Sequence, residues 1–124
     1  MIYCDKINLM HNNTYKNIFN DLQCIDNKTY YNKDFWAFAY KEDERALNLI
    51  CKPIKGRIMD SAFSKKFYEY KKDGKTLKTN GVNIESRCYA DTYEEAVDGF
   101  NRLVKNRIKS LKNEIRRLED MLIV

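Results

Sequence analysis

The feature that most constrains this chain is a run of apolar residues near its end. Val97, Phe100, Val104, Ile108, Leu111, Ile115, Leu118 and Leu122 follow one another at steps of 3, 4, 4, 3, 4, 3 and 4. That is one face of a long α-helix, with the alternation of a coiled-coil seam and a four-residue insertion near Val104. Thr92 and Glu95 mark its start as a T-x-x-E capping box, in which each side chain satisfies an amide that the first turn leaves without a partner. Glu94 and Glu95 also suit the positive end of the helix dipole. About thirty residues give a rod of roughly 45 Å, longer than a small sheet. Residues 108 to 122 are therefore expected to meet another helix, best supplied by a second copy of the chain. The alternative is a helix broken near residues 105 to 109 that bends across its own sheet.

The rest of the 124 residues divides into an N-terminal arm, 1–33, and an antiparallel sheet, 34–90, ahead of the helical segment 91–124, all in one domain. The expected class is α+β: a small antiparallel meander followed by a long C-terminal helix. In the arm, residues 2 to 7 read as an edge strand. Thr14 reads as the cap of a short helix carrying Ile18, Phe19, Leu22 and Ile25. The alternation of Trp36, Phe38 and Tyr40 against Phe35, Ala37 and Ala39 predicts a strand. A charged turn at residues 41 to 44 leads to a second strand over 47–52, and Gly56-Arg57 opens a third extended piece before a loop over 60–64. Asp73-Gly74 and Asn80-Gly81 each carry a type I′ hairpin signal. They predict strands over 67–72, 75–79 and 82–89. Phe67 and Tyr68 then point to opposite faces, so one of them belongs to the core.

Composition excludes several kinds of chemistry. His11 is the single histidine, so neither a histidine dyad nor a His-rich metal site is available within one chain. Cys4, Cys24, Cys51 and Cys88 form no C-x-x-C pair, which argues against structural zinc. They read as reduced, mostly buried thiols. There is no phosphate-loop motif, no G-x-G-x-x-G, no nucleophile elbow and no H-E-x-x-H. Glu42 and Glu44 read as solvated turn residues. The reading is a binding protein without catalytic residues, metal or cofactor. Asp5 and Lys6 interrupt the early apolar stretch 1–4, and no run of eighteen apolar residues follows, which argues against a leader and a membrane span.

The net charge of +5 is concentrated. Between Lys52 and Lys78 lie nine basic and three acidic side chains, so the whole positive excess falls in that segment. Such a patch gathers anions. Aromatic and cationic residues lie on or beside the predicted meander: Arg57, Phe67, Tyr68, Tyr70, Lys75, Arg87 and Tyr89. Nucleotides are bound by such residues, since rings stack on the base and guanidinium forks phosphate oxygens. Asn83 and Asp91 are placed to take ribose hydroxyls, and the helix start at Thr92 offers amides to an anion. Trp36 reads as core rather than as a stacking platform.

Gly56-Arg57, the stretch Phe67-Tyr68-Glu69-Tyr70-Lys71-Lys72-Asp73-Gly74-Lys75 and the stretch Ser86-Arg87-Cys88-Tyr89-Ala90-Asp91-Thr92 resemble phage Thoeris anti-defence 1 proteins. The order of parts is similar too, over roughly residues 34 to 122. The resemblance implies a sponge that binds a cyclic ADP-ribose isomer made by TIR-domain enzymes, does not degrade it, and so starves Thoeris immunity of its signal. Some members also sequester cyclic oligonucleotides. It implies action in the cytoplasm of the infected bacterial host and a homo-oligomer, a dimer or an assembly of dimers, through the C-terminal helices, with pockets shared between chains. Carried onto this sequence, the signal-binding candidates are Arg57, Arg87 and Tyr89, with Phe67, Tyr70 and Tyr89 as alternative stacking rings. Arg107 and Lys109 are candidates to reach a neighbour's pocket. The competing reading is a single-stranded nucleic-acid-binding module that uses the basic aromatic sheet.

Overall fold

A computed structural model describes residues 1–11, 13–25, 31–40, 50–60 and 65–123. The strands are β1 (Ile2–Cys4), β2 (Gln23–Cys24), β3 (Asp34–Tyr40), β4 (Ile50–Asp60), β5 (Lys65–Glu69), β6 (Val82–Asn83) and β7 (Cys88–Ala90). The helices are α1 (Lys6–His11), α2 (Asn13–Ile18) and α3 (Tyr93–Asp120). Among the described residues the strands make one sheet in the order β2-β1-β7-β3-β4-β5-β6. The fold is α+β with a long C-terminal helix, as the sequence predicts.

The details depart from a simple meander. β1 is not an edge strand: it lies between β2, to which it runs parallel, and β7, to which it runs antiparallel. The sheet is therefore mixed. The predicted strand over 2–7 stops at Cys4, and α1 begins at Lys6. Thr14 lies inside α2 rather than capping it, and Ile25 follows β2 instead of riding a helix. The second and third predicted strands are one strand, β4. Its pairing with β3 slips between Ala37↔Ile54 and Ala39↔Cys51, so β4 carries one extra residue there. Pro53 sits in that bulge, where its missing amide breaks no ladder bond. The turn at 41–44, residues 47 and 49, and the loop residues 61–64 lie outside the described residues.

The two turn signals also resolve differently. At Asp73-Gly74 only Gly74 has positive φ, +70°, so the turn is not type I′. The Asp73 carboxylate accepts from the amides of Lys75 and Thr76 and from the Thr76 hydroxyl. Those bonds select a wider loop closed by the Lys71 amide on the Thr76 carbonyl. The predicted strand over 75–79 reduces to a single bridge, Tyr70↔Leu77. Gly81 does not take positive φ. The predicted strand over 82–89 splits into β6, a 3-10 turn at Ile84–Ser86, and β7 at a distant place in the sheet.

Side-chain alternation gives the sheet two apolar faces. One carries Tyr3, Phe35, Ala37, Ile58, Phe67 and Tyr89, closed by Ile25, Tyr31 and Ile84. The sheet curls around this face. β5 and β7 are three strand spacings apart, about 14 Å if flat, yet the Phe67 and Tyr89 rings lie 5.5 Å apart. Phe67 lies over Gly56, where a β-carbon would collide with its ring. The outer face carries Cys4, Phe38, Cys88 and Ala90, covered by Tyr15 and Phe19 and by Ala96 and Leu103 of α3. Gly99 lets α3 settle onto Phe38: a β-carbon there would come 2.5 Å from the ring. Thr92 caps α3 as predicted, the Glu95 amide donating to its Oγ1 at 3.2 Å, while the Glu95 carboxylate accepts from the Thr92 hydroxyl at 3.0 Å instead of from an amide. α3 runs unbroken from Tyr93 to Asp120.

Candidate functional site

Register alone places a second population on the outer face. Arg57 stands opposite Asp34 and Lys55 opposite Trp36, while Tyr68 stands opposite Arg57 and Lys66 opposite Met59. Cross-strand partners share a face. Asp34 and Trp36 belong with Phe38 on the side that carries α3, so Lys55, Arg57, Lys66 and Tyr68 do too. α3 packs on β7, β3 and β4 but not appreciably on β5. The result is a shelf beside α3. Its inner wall is Trp36, partly buried, with the Tyr93 ring 4.9 Å from it, edge to face. Tyr93 is 49% exposed.

Arg57 is held in place on the shelf. Its Nε donates to Asp34 Oδ1 at 2.9 Å, and the Tyr70 hydroxyl donates to the same oxygen at 2.6 Å. Burial alone would raise the Asp34 carboxyl, but these two bonds and the charges of Arg57 and Lys55 hold it below its ordinary value. The same bond to Asp34 raises the Tyr70 phenol and the Arg57 guanidinium. Asp34 is thus an anion at neutral pH and Tyr70 a neutral donor. The Arg57 side chain remains 39% exposed. Among the described residues neither Lys55 nor Lys66 has a carboxylate within ion-pair distance. Three cations share the shelf with one carboxylate, which leaves it net positive.

The remaining sequence candidates scatter. Phe67 and Tyr89 are 3% and 0% exposed. Tyr89 donates its hydroxyl to the Ile84 carbonyl at 2.8 Å. Both rings are core and present no stacking surface. Tyr68, their neighbour on the other face, is the half-buried ring of the pair that alternation places outside the core. Arg87 opens onto the inner face instead, in a small cleft with Ile54, Phe67, Glu69, Asn80 and Val82. Arg57 and Arg87 therefore do not act on one ligand within a chain. Glu69 makes that cleft a poor place for an anion, although Lys78 pairs with it at 3.0 Å. Asn83 is in β6, paired with Lys66, and its carbonyl accepts from Ser86 Oγ. Lys75 lies in the Asp73 loop.

Asp91 has a structural partner, since the Tyr3 hydroxyl donates to its Oδ2 at 2.9 Å. The start of α3 is not an open anion site. Thr92 takes its amide, and Asp91 and Glu95 gather the N-terminal amine of Met1 around it. Arg107 and Lys109 lie on α3 beyond Leu103, its last buried residue. Cys4 and Cys88 are buried thiols as expected, and burial pushes the Cys4 thiol up to about 12. Neither is a nucleophile at neutral pH.

Sequence reasoning missed Lys55, Lys66, Tyr93 and the outward aspect of Trp36. The signal for the first two is the period-2 alternation from Arg57, legible once β4 pairs with β5. Tyr93 and Trp36 meet only through the docking of α3, which no local pattern announces. Comparison with protein-family models, with curated protein sequences and with solved structures finds no match.

Proposed function

We propose that the shelf binds a phosphate-bearing nucleotide, and that the ligand is a cyclic ADP-ribose isomer captured without turnover. The observation that carries this reading is the fixed Arg57, with Lys55 and Lys66 around it and the Trp36–Tyr93 pair beside it. Lys55 and Arg57 form a cationic row for the pyrophosphate. Trp36 lies diagonally across from Arg57 in the register, about 7–8 Å away by strand geometry, the span from a nucleoside's base to its phosphate. Stacking there contributes about 1–3 kcal/mol per base. The resemblance to Thoeris anti-defence 1 proteins, which includes Gly56-Arg57 and the Phe67–Lys75 stretch, narrows a nucleotide to the cyclic ADP-ribose class. The Phe67 and Tyr89 rings take no part, and Arg57, Tyr70, Tyr68 and Trp36 carry the role.

The shelf crosses only β3, β4 and β5, roughly 10 Å. That width suits one small ligand better than a track of successive bases, which sets this reading above single-stranded nucleic acid.

The experiment is calorimetric titration with cyclic ADP-ribose isomers, followed by release of the ligand by heating and its identification by chromatography. Saturable binding and intact ligand are expected. Altered ligand would mean an enzyme. Binding of single-stranded oligonucleotides alone, falling steeply with salt, would replace this reading with the nucleic-acid one.

A further inference from the structure

The Arg87 cleft lies on the inner face, across the sheet from the shelf, and stands apart from the nucleotide reading. Strand pairing assembles it. Phe67 and Glu69 alternate onto the inner face, Val82 stands opposite Phe67, and Gly56, two residues from Ile54, stands opposite Glu69. Phe67 leans over Gly56 and makes an apolar floor with Ile54 and Val82. Glu69, Asn80 and Arg87 form the rim. The space between them is about 300 Å³ and opens to solvent.

Arg87 is the unexplained part of this cleft. Its guanidinium is partly buried, and among the described residues its Nη1 donates to two neutral oxygens, the Ser86 carbonyl at 3.2 Å and Ser86 Oγ at 3.5 Å. No carboxylate of the described residues comes within ion-pair distance of it. A partly buried cation supported by neutral oxygens alone lacks a counter-charge. A bare anion such as phosphate does not suit the place, because Glu69 shares the rim. Lys78 pairs with Glu69 through Oε2 at 3.0 Å, which leaves Oε1 for a ligand. The rim therefore presents a guanidinium fork and a carboxylate oxygen above an apolar floor. We infer that the cleft binds a free α-amino acid with a branched aliphatic side chain. Arg87 forks the ligand carboxylate. Glu69 Oε1 and the Asn80 amide oxygen accept from its ammonium. The aliphatic branch rests on Phe67, Ile54 and Val82. A free amino acid carries both charges on one carbon, whereas a peptide terminus carries one of them, so this rim selects the free molecule.

Methyl NMR of the full chain tests this with L-leucine as the probe. Saturable shifts are expected at the Ile54 and Val82 methyls, with a dissociation constant of about 1 mM or below for so small a ligand. Two half-molecules divide the charges: 4-methylpentanoate keeps the carboxylate and leucinamide keeps the ammonium. Each is expected to bind about tenfold more weakly or worse, because one charge-assisted set of hydrogen bonds is missing. Arg87→Gln is expected to weaken L-leucine by about tenfold or more, and Glu69→Gln by about three- to tenfold. The ligand series uses the wild-type chain, so its outcome does not depend on a variant folding. Absence of saturable shifts with L-leucine overturns the inference. So does a half-molecule that binds as well as L-leucine, and so does inorganic phosphate that produces the same shifts, which would make the cleft a plain anion site.

Discussion

The outer face of the sheet is built in two ways, and the contrast explains how a chain this short keeps both a core and the open surface proposed to bind ligand. Over β1, β7 and β3 the outward residues are Cys4, Cys88, Ala90 and Phe38, small or flat enough for α3 to close over them. Over β4 and β5, where α3 reaches β4 but does not pack appreciably on β5, they are Lys55, Arg57, Lys66 and Tyr68, charged or bulky side chains. The inner face runs under both halves without interruption, through Phe35, Ile58, Phe67 and Tyr89. One layer of the sheet supplies stability along its whole width. The other is free to differ from strand to strand.

Substitutions can break the covered half without touching the open one. Phe38→Ala is expected to cost about 3–5 kcal/mol in denaturant unfolding, because the ring is fully buried under α3. Tyr68→Ala on the open half is expected to cost about 1 kcal/mol or less by the same measurement. Two glycines sharpen the point. A β-carbon at Gly99 would come 2.5 Å from the Phe38 ring, and one at Gly81 would come 2.8 Å from the Tyr68 ring. Phe38 has nowhere to go, so Gly99→Leu is expected to lose about 1–3 kcal/mol through overpacking. Tyr68 can swing outward, so Gly81→Ala is expected to lose less than half as much.

Arg57→Ala reverses the comparison. It is expected to leave stability within about 1 kcal/mol, since the pair with Asp34 is exposed. Nucleotide affinity should fall at least tenfold, measured by calorimetry. The smallest effect lies outside both halves, at the Asp73 loop. Three hydrogen bonds from Thr76 and Lys75 lower the Asp73 carboxyl from 3.8 to about 2. Its contribution to the loop is complete above the ordinary carboxylate value and is lost as pH falls through about 2. Carboxyl carbon NMR should show that late titration, and Thr76→Ala should move it toward the ordinary value.

How much of this was legible in the sequence differs by region for physical reasons. The start of α3 at Thr92 and the continuous helix behind it are local signals, and both stand as read. So does β3, and so does the division of Phe67 and Tyr68 between faces. The N-terminal stretch was opaque because β1 is fixed by partners about twenty and ninety residues away, Gln23–Cys24 and Tyr89–Ala90. The Asp73-Gly74 signal marked a real turn of another type, because the aspartate side chain captures the following amides. The site was half legible. Arg57 and Tyr70 were singled out by type, and the structure ties them to one carboxylate. Arg87, Tyr89 and Asp91 share their neighbourhood in sequence but face elsewhere, since β7 leaves the hairpin and inserts between β1 and β3.

Trp36 is the single tryptophan of the chain and forms the wall of the proposed site, so its fluorescence reports on that site alone. Titration of the protein with cyclic ADP-ribose isomers should give a saturable change in Trp36 emission with the affinity found by calorimetry, and Arg57→Ala should shift the curve at least tenfold to weaker binding. Calorimetric binding with unchanged Trp36 emission and an unshifted Arg57→Ala curve would contradict the account and move the ligand away from the shelf.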